Sequence, residues 1–282
     1  MRLATYVAFV RFSHSVFALP FALTGALLAW RDHPFTWTQA GWIVACMVSA
    51  RSAAMGFNRL VDARHDALNP RTAMREIPRG AMSPAEARAF VAVASAVFVY
   101  AAWRLSPLCF ALAPVALAIV FWYSLAKRYT PYTQLFLGLA MAVAPVGGWI
   151  AAGGRGGAEP WLLGLAIGLW VGGFDILYAC QDYEFDRAHG LRSIPTRFGI
   201  TGAIRISRAM HVAAVVCMGL LWRAADLPAL YLAGVLFVAV LLVYEQSLVS
   251  EDDLSQVKRA FDLNGWVGIV YFAATAASLY FA

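Results

Sequence analysis

Apolar residues run along this chain in long blocks separated by short polar stretches. Nine blocks are long enough to cross hydrocarbon as helices, which takes about 17–25 residues. They cover roughly residues 12–30, 38–58, 85–103, 106–126, 133–152, 161–181, 203–222, 227–247 and 264–281. None shows the strict alternation of a half-buried strand, and lipid requires each segment to satisfy its own backbone. The pattern predicts an all-α integral membrane protein with nine transmembrane helices, forming one domain over residues 1–282. Pro20, Pro114 and Pro145 fall inside predicted spans, where neighbouring helices can satisfy the carbonyls they free. The first block has no small-residue cleavage site, which predicts a retained helix and no signal peptide.

Composition strengthens the membrane reading. Of 282 residues, 61% are hydrophobic and 13% charged, with a mean hydropathy of +0.66. Soluble domains run nearer 45–50% apolar and about 25% charged. A net charge of +6 would suit nucleic acid in a soluble chain, but these basic residues sit in short loops between apolar blocks. With the N-terminus cytoplasmic, seventeen of the 22 Lys and Arg fall on the cytoplasmic side. Four lie outside (Arg31, Arg104, Arg155, Arg223) and Arg51 lies within a span. The positive-inside rule selects this orientation, so no nucleic acid is needed to explain the charge. Cys46, Cys109, Cys180 and Cys217 lie singly in apolar segments without metal or disulfide spacing, and read as packing residues.

Candidate chemistry gathers where spans two and six end, both on the cytoplasmic face. The first stretch runs Asn58-Arg-Leu-Val-Asp62-Ala-Arg-His-Asp66, the second Tyr178-Ala-Cys-Gln181-Asp182-Tyr-Glu-Phe-Asp186. Acids or amides recur every four residues, a spacing that shares one helix face at about 6 Å intervals. A lone acid at a helix end is ordinarily just solvated; two matched stripes on one face are not accounted for in that way. Several carboxylates together repel unless a cation binds, and hard oxygen ligands near arginines suit Mg²⁺ with a phosphate-bearing substrate. The two longest cytoplasmic loops, 67–84 and 187–202, follow these spans and could cap a pocket with Arg71, Arg75, Arg79, Arg187, Arg192 and Arg197. Span four ends on the same face in Tyr123-Ser-Leu-Ala-Lys127-Arg128, whose cations could neutralise a departing diphosphate.

Two charges sit deeper. Arg51 lies seven residues before Asn58 and Asp175 seven before Asp182, each about 10 Å further into the bilayer. Intramembrane charges imply function or pairing; these two either bind substrate or pair with each other. His14, beside Ser13 and Ser15, reads as a structural histidine. The 18 Phe, 11 Tyr and 10 Trp mostly face lipid or the interface, though a few could line an apolar tunnel and face a carbocation.

Arg51-Ser-Ala-Ala-Met-Gly-Phe-Asn58-Arg-Leu-Val-Asp62-Ala-Arg-His-Asp66, followed by Arg71-Thr72 and Arg79-Gly80, resembles the first aspartate-rich motif of UbiA-type membrane prenyltransferases. Asp175-Ile-Leu-Tyr178-Ala-Cys-Gln181-Asp182-Tyr-Glu-Phe-Asp186 resembles their second motif. Phe12-Ser-His-Ser-Val-Phe-Ala-Leu-Pro20-Phe resembles their first helix, and Ile194-Pro-Thr-Arg197-Phe-Gly199 the stretch after the second motif. Many members carry Asn-Asp where this chain has Asn58-Arg59. That feature resembles the 4-hydroxybenzoate polyprenyltransferase-like branch, including members linked to menaquinone made through futalosine.

The resemblance implies nine helices bundled around a central cavity open to the cytoplasm and laterally to lipid. It implies Mg²⁺-dependent transfer of a polyprenyl group from its diphosphate to an aromatic quinone precursor. The acceptor would be 4-hydroxybenzoate or, alternatively, a 1,4-dihydroxy-6-naphthoate-type precursor, in ubiquinone or menaquinone synthesis at the bacterial plasma (inner) membrane. Asp62, Asp66, Asp182, Asp186 and Lys127 are then the catalytic candidates. Asn58 and the four aspartates are the metal ligands. Asn58, Arg51, Tyr123, Arg128, Tyr178, Gln181, Asp175, Arg71 and Arg197 are the substrate-binding candidates. No protein partner is called for. Two rival classes fit less well. An ion-coupled transporter would place its acids near the midplane on broken helices, and a CDP-alcohol phosphotransferase would carry an Asp-Gly-x-x-Ala-Arg signature missing here.

Overall fold

The computed structural model describes residues 2–10, 12–31 and 36–281, leaving aside the side chains of 2–4, 7 and 12–18. The His14 side chain therefore lies outside the described residues. Each apolar block is helical, and the described residues contain no strand. Seven of the described helices are long and apolar enough, by length and composition, to cross a membrane.

The chain divides into two compact units, the first comprising residues 1–19 and 36–125. It holds α1 (Arg2–Phe9), the start of α2 (Phe12–Trp30), α3 (Trp37–Leu68), α4 (Pro84–Leu105) and nearly all of α5 (Pro107–Ala126). A Thr36–Gln39 capping box starts α3, and Ser83–Glu86 with Pro84 at the first position starts α4, satisfying orphan N–H groups at each end. The predicted second span stopped at residue 58, whereas α3 runs on to Leu68. At 32 residues it is about 48 Å long, well beyond the ~30 Å of hydrocarbon. The extra turns carry Asp62 and Asp66.

The second unit comprises residues 20–35 and 126–282. It holds the rest of α2, α6 (Thr133–Ala151), α7 (Glu159–Ala179), a 3₁₀ turn (Cys180–Asp182), α8 (Tyr183–Ala188), α9 (Ile194–Ala224), α10 (Ala229–Ser247) and α11 (Val257–Tyr280). Small residues let its helix backbones meet directly, as is common where lipid offers no hydrophobic drive. A Cβ on Gly25 would strike the Pro145 carbonyl, and one on Gly148 the Ala22 carbonyl, so α2 and α6 cross backbone to backbone. Gly148→Val should cost about 1–3 kcal/mol by overpacking, read as a fall in melting temperature in detergent. Gly147→Val, where nothing lies within 4 Å, should leave it unchanged.

A buried polar network joins α7, α9, α10 and α11. Gln246 Nε2 donates to Ser207 Oγ at 2.7 Å and to His211 Nδ1 at 3.1 Å. Ser207 donates to the Gly173 carbonyl at 2.7 Å, and His211 Nε2 lies 3.3 Å from that of Trp170. Trp170 Nε1 donates to Asn264 at 2.6 Å. Burying a polar group costs free energy unless it is hydrogen-bonded, so these bonds favour one packing of the four helices.

Two sequence expectations are corrected here. The second acid stripe is not on one continuous α-helix: α7 gives way to the 3₁₀ turn at Cys180–Asp182, and α8 restarts at Tyr183. Terminal carbonyls without α-helical partners tighten into i→i+3 bonds, as Tyr183 N–H to the Cys180 carbonyl shows. The expected loop 187–202 is also shorter. Ser193 caps a helix that starts at Ile194 with Pro195 in its first turn, and Gly199, at φ 72°, breaks that helix before it continues.

Candidate active site

In the first unit the site begins on one face of α3. Asp62 and Asp66 are 3% and 5% exposed, not solvated at a rim. Asn58 Nδ2 donates to Asp62 Oδ2 at 3.2 Å and to Ser124 Oγ of α5 at 3.4 Å. Phe57 packs on Phe121 at 4.6 Å between centroids, so α3 and α5 meet along this face. Tyr123, half-buried, adjoins Ser124. Deeper on α3, the half-buried Arg51 has its Nε buried without a hydrogen-bond partner.

The loop after α3 folds back on this face. Arg75 Nη1 lies 2.8 Å from both oxygens of Asp66, and Thr72 Oγ1 donates to the Asp66 carbonyl at 3.1 Å. Arg71 is exposed, its N–H donating to Asn69 Oδ1 at 3.0 Å. The partnership of Arg75 with Asp66 is not visible in the sequence, because nine residues and an irregular loop separate them. Ser124 could have been found: it precedes Lys127 by three residues, one turn back along α5.

In the second unit, Lys127 and Arg128 lie in the turn after α5, both half-buried. The loop after α8 binds that turn. Arg192 N–H donates to the Lys127 carbonyl at 2.9 Å, and its Nη1 to the Tyr129 carbonyl at 2.8 Å. The adjacent Leu191 N–H donates to the Asp186 carbonyl at 2.9 Å. Lys127 and Asp186 are thus tied to neighbouring residues of one strap. Asp182 and Asp186 are half-exposed and Gln181 exposed, its Nε2 donating to the Tyr178 carbonyl at 3.4 Å. Tyr178 packs on Phe261 at 4.9 Å, one turn beyond the half-buried Asp175. Arg197 is exposed, its guanidinium over the rings of Tyr132 and Phe198 at 5.9 and 5.4 Å.

Among the described residues, no three His, Cys, Asp or Glu side chains cluster as a self-contained metal site. On α3, Asp62 and Asp66 lie on one face with the Asn58 amide on Asp62 and the Arg75 guanidinium on Asp66. Against these residues, the pattern of the UbiA prenyltransferase family matches positions 18–274.

The chain belongs to this family.

Among relatives, it is 31% identical over 240 residues to the 4-hydroxybenzoate octaprenyltransferase of Aeromonas hydrophila, covering 85% of this chain and 83% of that one. The apo UbiA homologue of Aeropyrum pernix K1 superposes with a TM-score of 0.86 at 38% identity, over 94% of this chain and 98% of that one. The UbiA homologue of Archaeoglobus fulgidus bound to DMAPP and Mg²⁺ shares the fold at a TM-score of 0.72. Its identity is 18%, over 96% of this chain and 99% of that one. Membership sets aside the transporter and phosphotransferase alternatives and makes the protein an integral membrane prenyltransferase.

Proposed function

We propose that this prenyltransferase moves a polyprenyl group from its diphosphate to a ring carbon of 4-hydroxybenzoate or a related aromatic quinone precursor. The observation that carries the reading is the α3 face on which half-buried Asn58 meets the buried Asp62, one turn before the buried Asp66, with Arg75 set against Asp66. Kinship with 4-hydroxybenzoate octaprenyltransferases supports the acceptor class. The family match covers residues of both units, which supports reading the chain as a single domain. We read the nine long helices among the described residues as nine spans around a cavity open to the cytoplasm and sideways to lipid. The excess of cytoplasmic Lys and Arg supports that orientation in a bacterial plasma membrane.

Mg²⁺ commonly takes one or two carboxylates and completes its shell with water and substrate phosphate. The paired oxygen donors here fit that mode, and the Archaeoglobus homologue was solved with DMAPP and Mg²⁺. Asn58, Asp62, Asp66, Asp182 and Asp186 would hold the ion, which when bound supplies positive charge against the diphosphate. Lys127 and Arg128, with Arg71 and Arg197 from the loops and Gln181, bind the phosphates and stabilise charge as the group departs. Tyr123 and Tyr178 present ring faces to the allylic cation. Arg51 grips the acceptor carboxylate with two parallel hydrogen bonds while Asp175 orients it. The ring carbon attacks and then loses its proton, in a cavity that excludes water.

The test is direct. Purified protein is incubated with prenyl diphosphates of several lengths and either 4-hydroxybenzoate or dihydroxynaphthoate, and products are identified by mass. Prenylated 4-hydroxybenzoate is expected. A prenylated naphthoate alone would move the acceptor to the futalosine-type precursor, and no aromatic product from either would overturn the reading.

A further inference from the structure

We propose that Arg59 and Glu76 are positioning residues for prenyl transfer, a buried clasp that holds the α3–α4 loop so that Arg75 meets Asp66. Arg59 is 4% exposed and Glu76 7%, and Arg59 Nη1 lies 4.0 Å from Glu76 Oε2. Both belong to the first unit, and both adjoin site residues: Arg59 follows Asn58, and Glu76 follows Arg75. The role rests on reading the α3 face as the diphosphate site.

Three features turn this pair into a clasp. First, Arg59, Asp62 and Asp66 are the buried charges of one α3 face, at i, i+3 and i+7. The loop answers with Arg75 on Asp66 and Glu76 toward Arg59, so two adjacent loop residues engage positions two turns apart. Second, an apolar layer lies beside the ionic one. Leu60 of α3 and Ile77 of the loop both pack on the cluster of Phe9, Val10, Met82 and Ala87. Third, the Glu76 carbonyl accepts from Met82 N–H at 3.1 Å, and the Arg75 carbonyl from Arg79 N–H at 3.1 Å. The loop is therefore wound around the two residues that grip the helix.

A buried ion pair often adds little stability over a well-packed apolar pair of the same volume; what it can add is a unique arrangement. Here the arrangement at stake is that of the neighbouring guanidinium. If the Glu76 end is released, Arg75 loses the anchor one residue away, and the exposed Arg71 and Arg79 swing with the loop. Binding of the diphosphate then suffers, whereas an aromatic acceptor, which meets none of these side chains in our reading, does not.

The test uses the full chain in nanodiscs and three variants: Glu76→Gln, Arg59→Gln and the charge-swapped Arg59→Glu/Glu76→Arg. The first readout needs no substrate: trypsin nicking after Arg71 and Arg79, mapped by mass, reports how often the loop opens. The single variants should be nicked at least ~10-fold faster, since cleavage tracks the open population. They should also raise KM for the prenyl diphosphate about 10-fold with acceptor KM unchanged, a split that general unfolding would not give. The swapped pair should recover both. Wild-type nicking and KM in both single variants would overturn the proposal. So would faster nicking with unchanged diphosphate KM, or a swap that recovers nothing. If the parent protein transfers no prenyl group at all, the functional reading falls, while the nicking arm still reports on the clasp.

Discussion

Asp62→Asn and Asp182→Asn should each lower kcat/KM at least ~100-fold, equivalent to roughly 2.7 kcal/mol of transition-state stabilisation. Asparagine keeps the volume and one acceptor oxygen while removing the charge. That choice matters for Asp62, which is 3% exposed and bonded by Asn58; alanine there would confuse a packing defect with a lost ligand. Asp182 is half-exposed in the 3₁₀ turn, so its variant should fold as the parent does. Initial rates and melting temperatures on the same preparations check this. A variant of either that melts normally and keeps half its rate would remove that aspartate from the site.

Chelation should have an effect at least as large. In the proposed function Asp62, Asp66, Asp182 and Asp186 act toward an anionic diphosphate, which uncompensated carboxylates would repel. The fixed cation on Asp66, Arg75 at 2.8 Å from both oxygens, neutralises one carboxylate, and in the proposed function a divalent ion offsets the others. EDTA should therefore abolish turnover, by ~100-fold or more, and added Mg²⁺ should restore it. Undiminished turnover in chelator, followed by mass detection of product, would defeat the ionic mechanism outright.

How far the chain could be read follows from which forces act locally. Spans are local: hydrophobic length alone located α4, α5 and α6 to within two residues of 84–105, 107–126 and 133–151. Hydropathy ends α3 ten residues short because it falls where the acids begin, although the i, i+4 spacing of Asn58, Asp62 and Asp66 needs the helix to continue. That spacing was the better guide. The same spacing misled at Asp182, where a change of helix type carries no hydrophobic signature. Ser193-Ile-Pro-Thr is a helix start by capping chemistry, although the apolar run that marks the span begins later. Arg75 on Asp66 and Glu76 beside Arg59 depend on how a fifteen-residue connection, 69–83, folds over a helix. No periodicity records such a contact.

One structural feature bears on how the protein is made. The second unit is discontinuous in sequence: it needs residues 20–35, and the rest of it begins only at residue 126. Ninety residues of the first unit, 36–125, are synthesised in between, which at ribosomal speed takes roughly 5–20 s. During that interval the stretch around Ala22 and Gly25 is in the bilayer while Pro145 and Gly148, the backbone it must meet, do not yet exist. The early helix therefore waits, its small-residue face open to lipid or to a chaperone. For the same reason no single cut in the chain yields two fragments that each carry a whole unit.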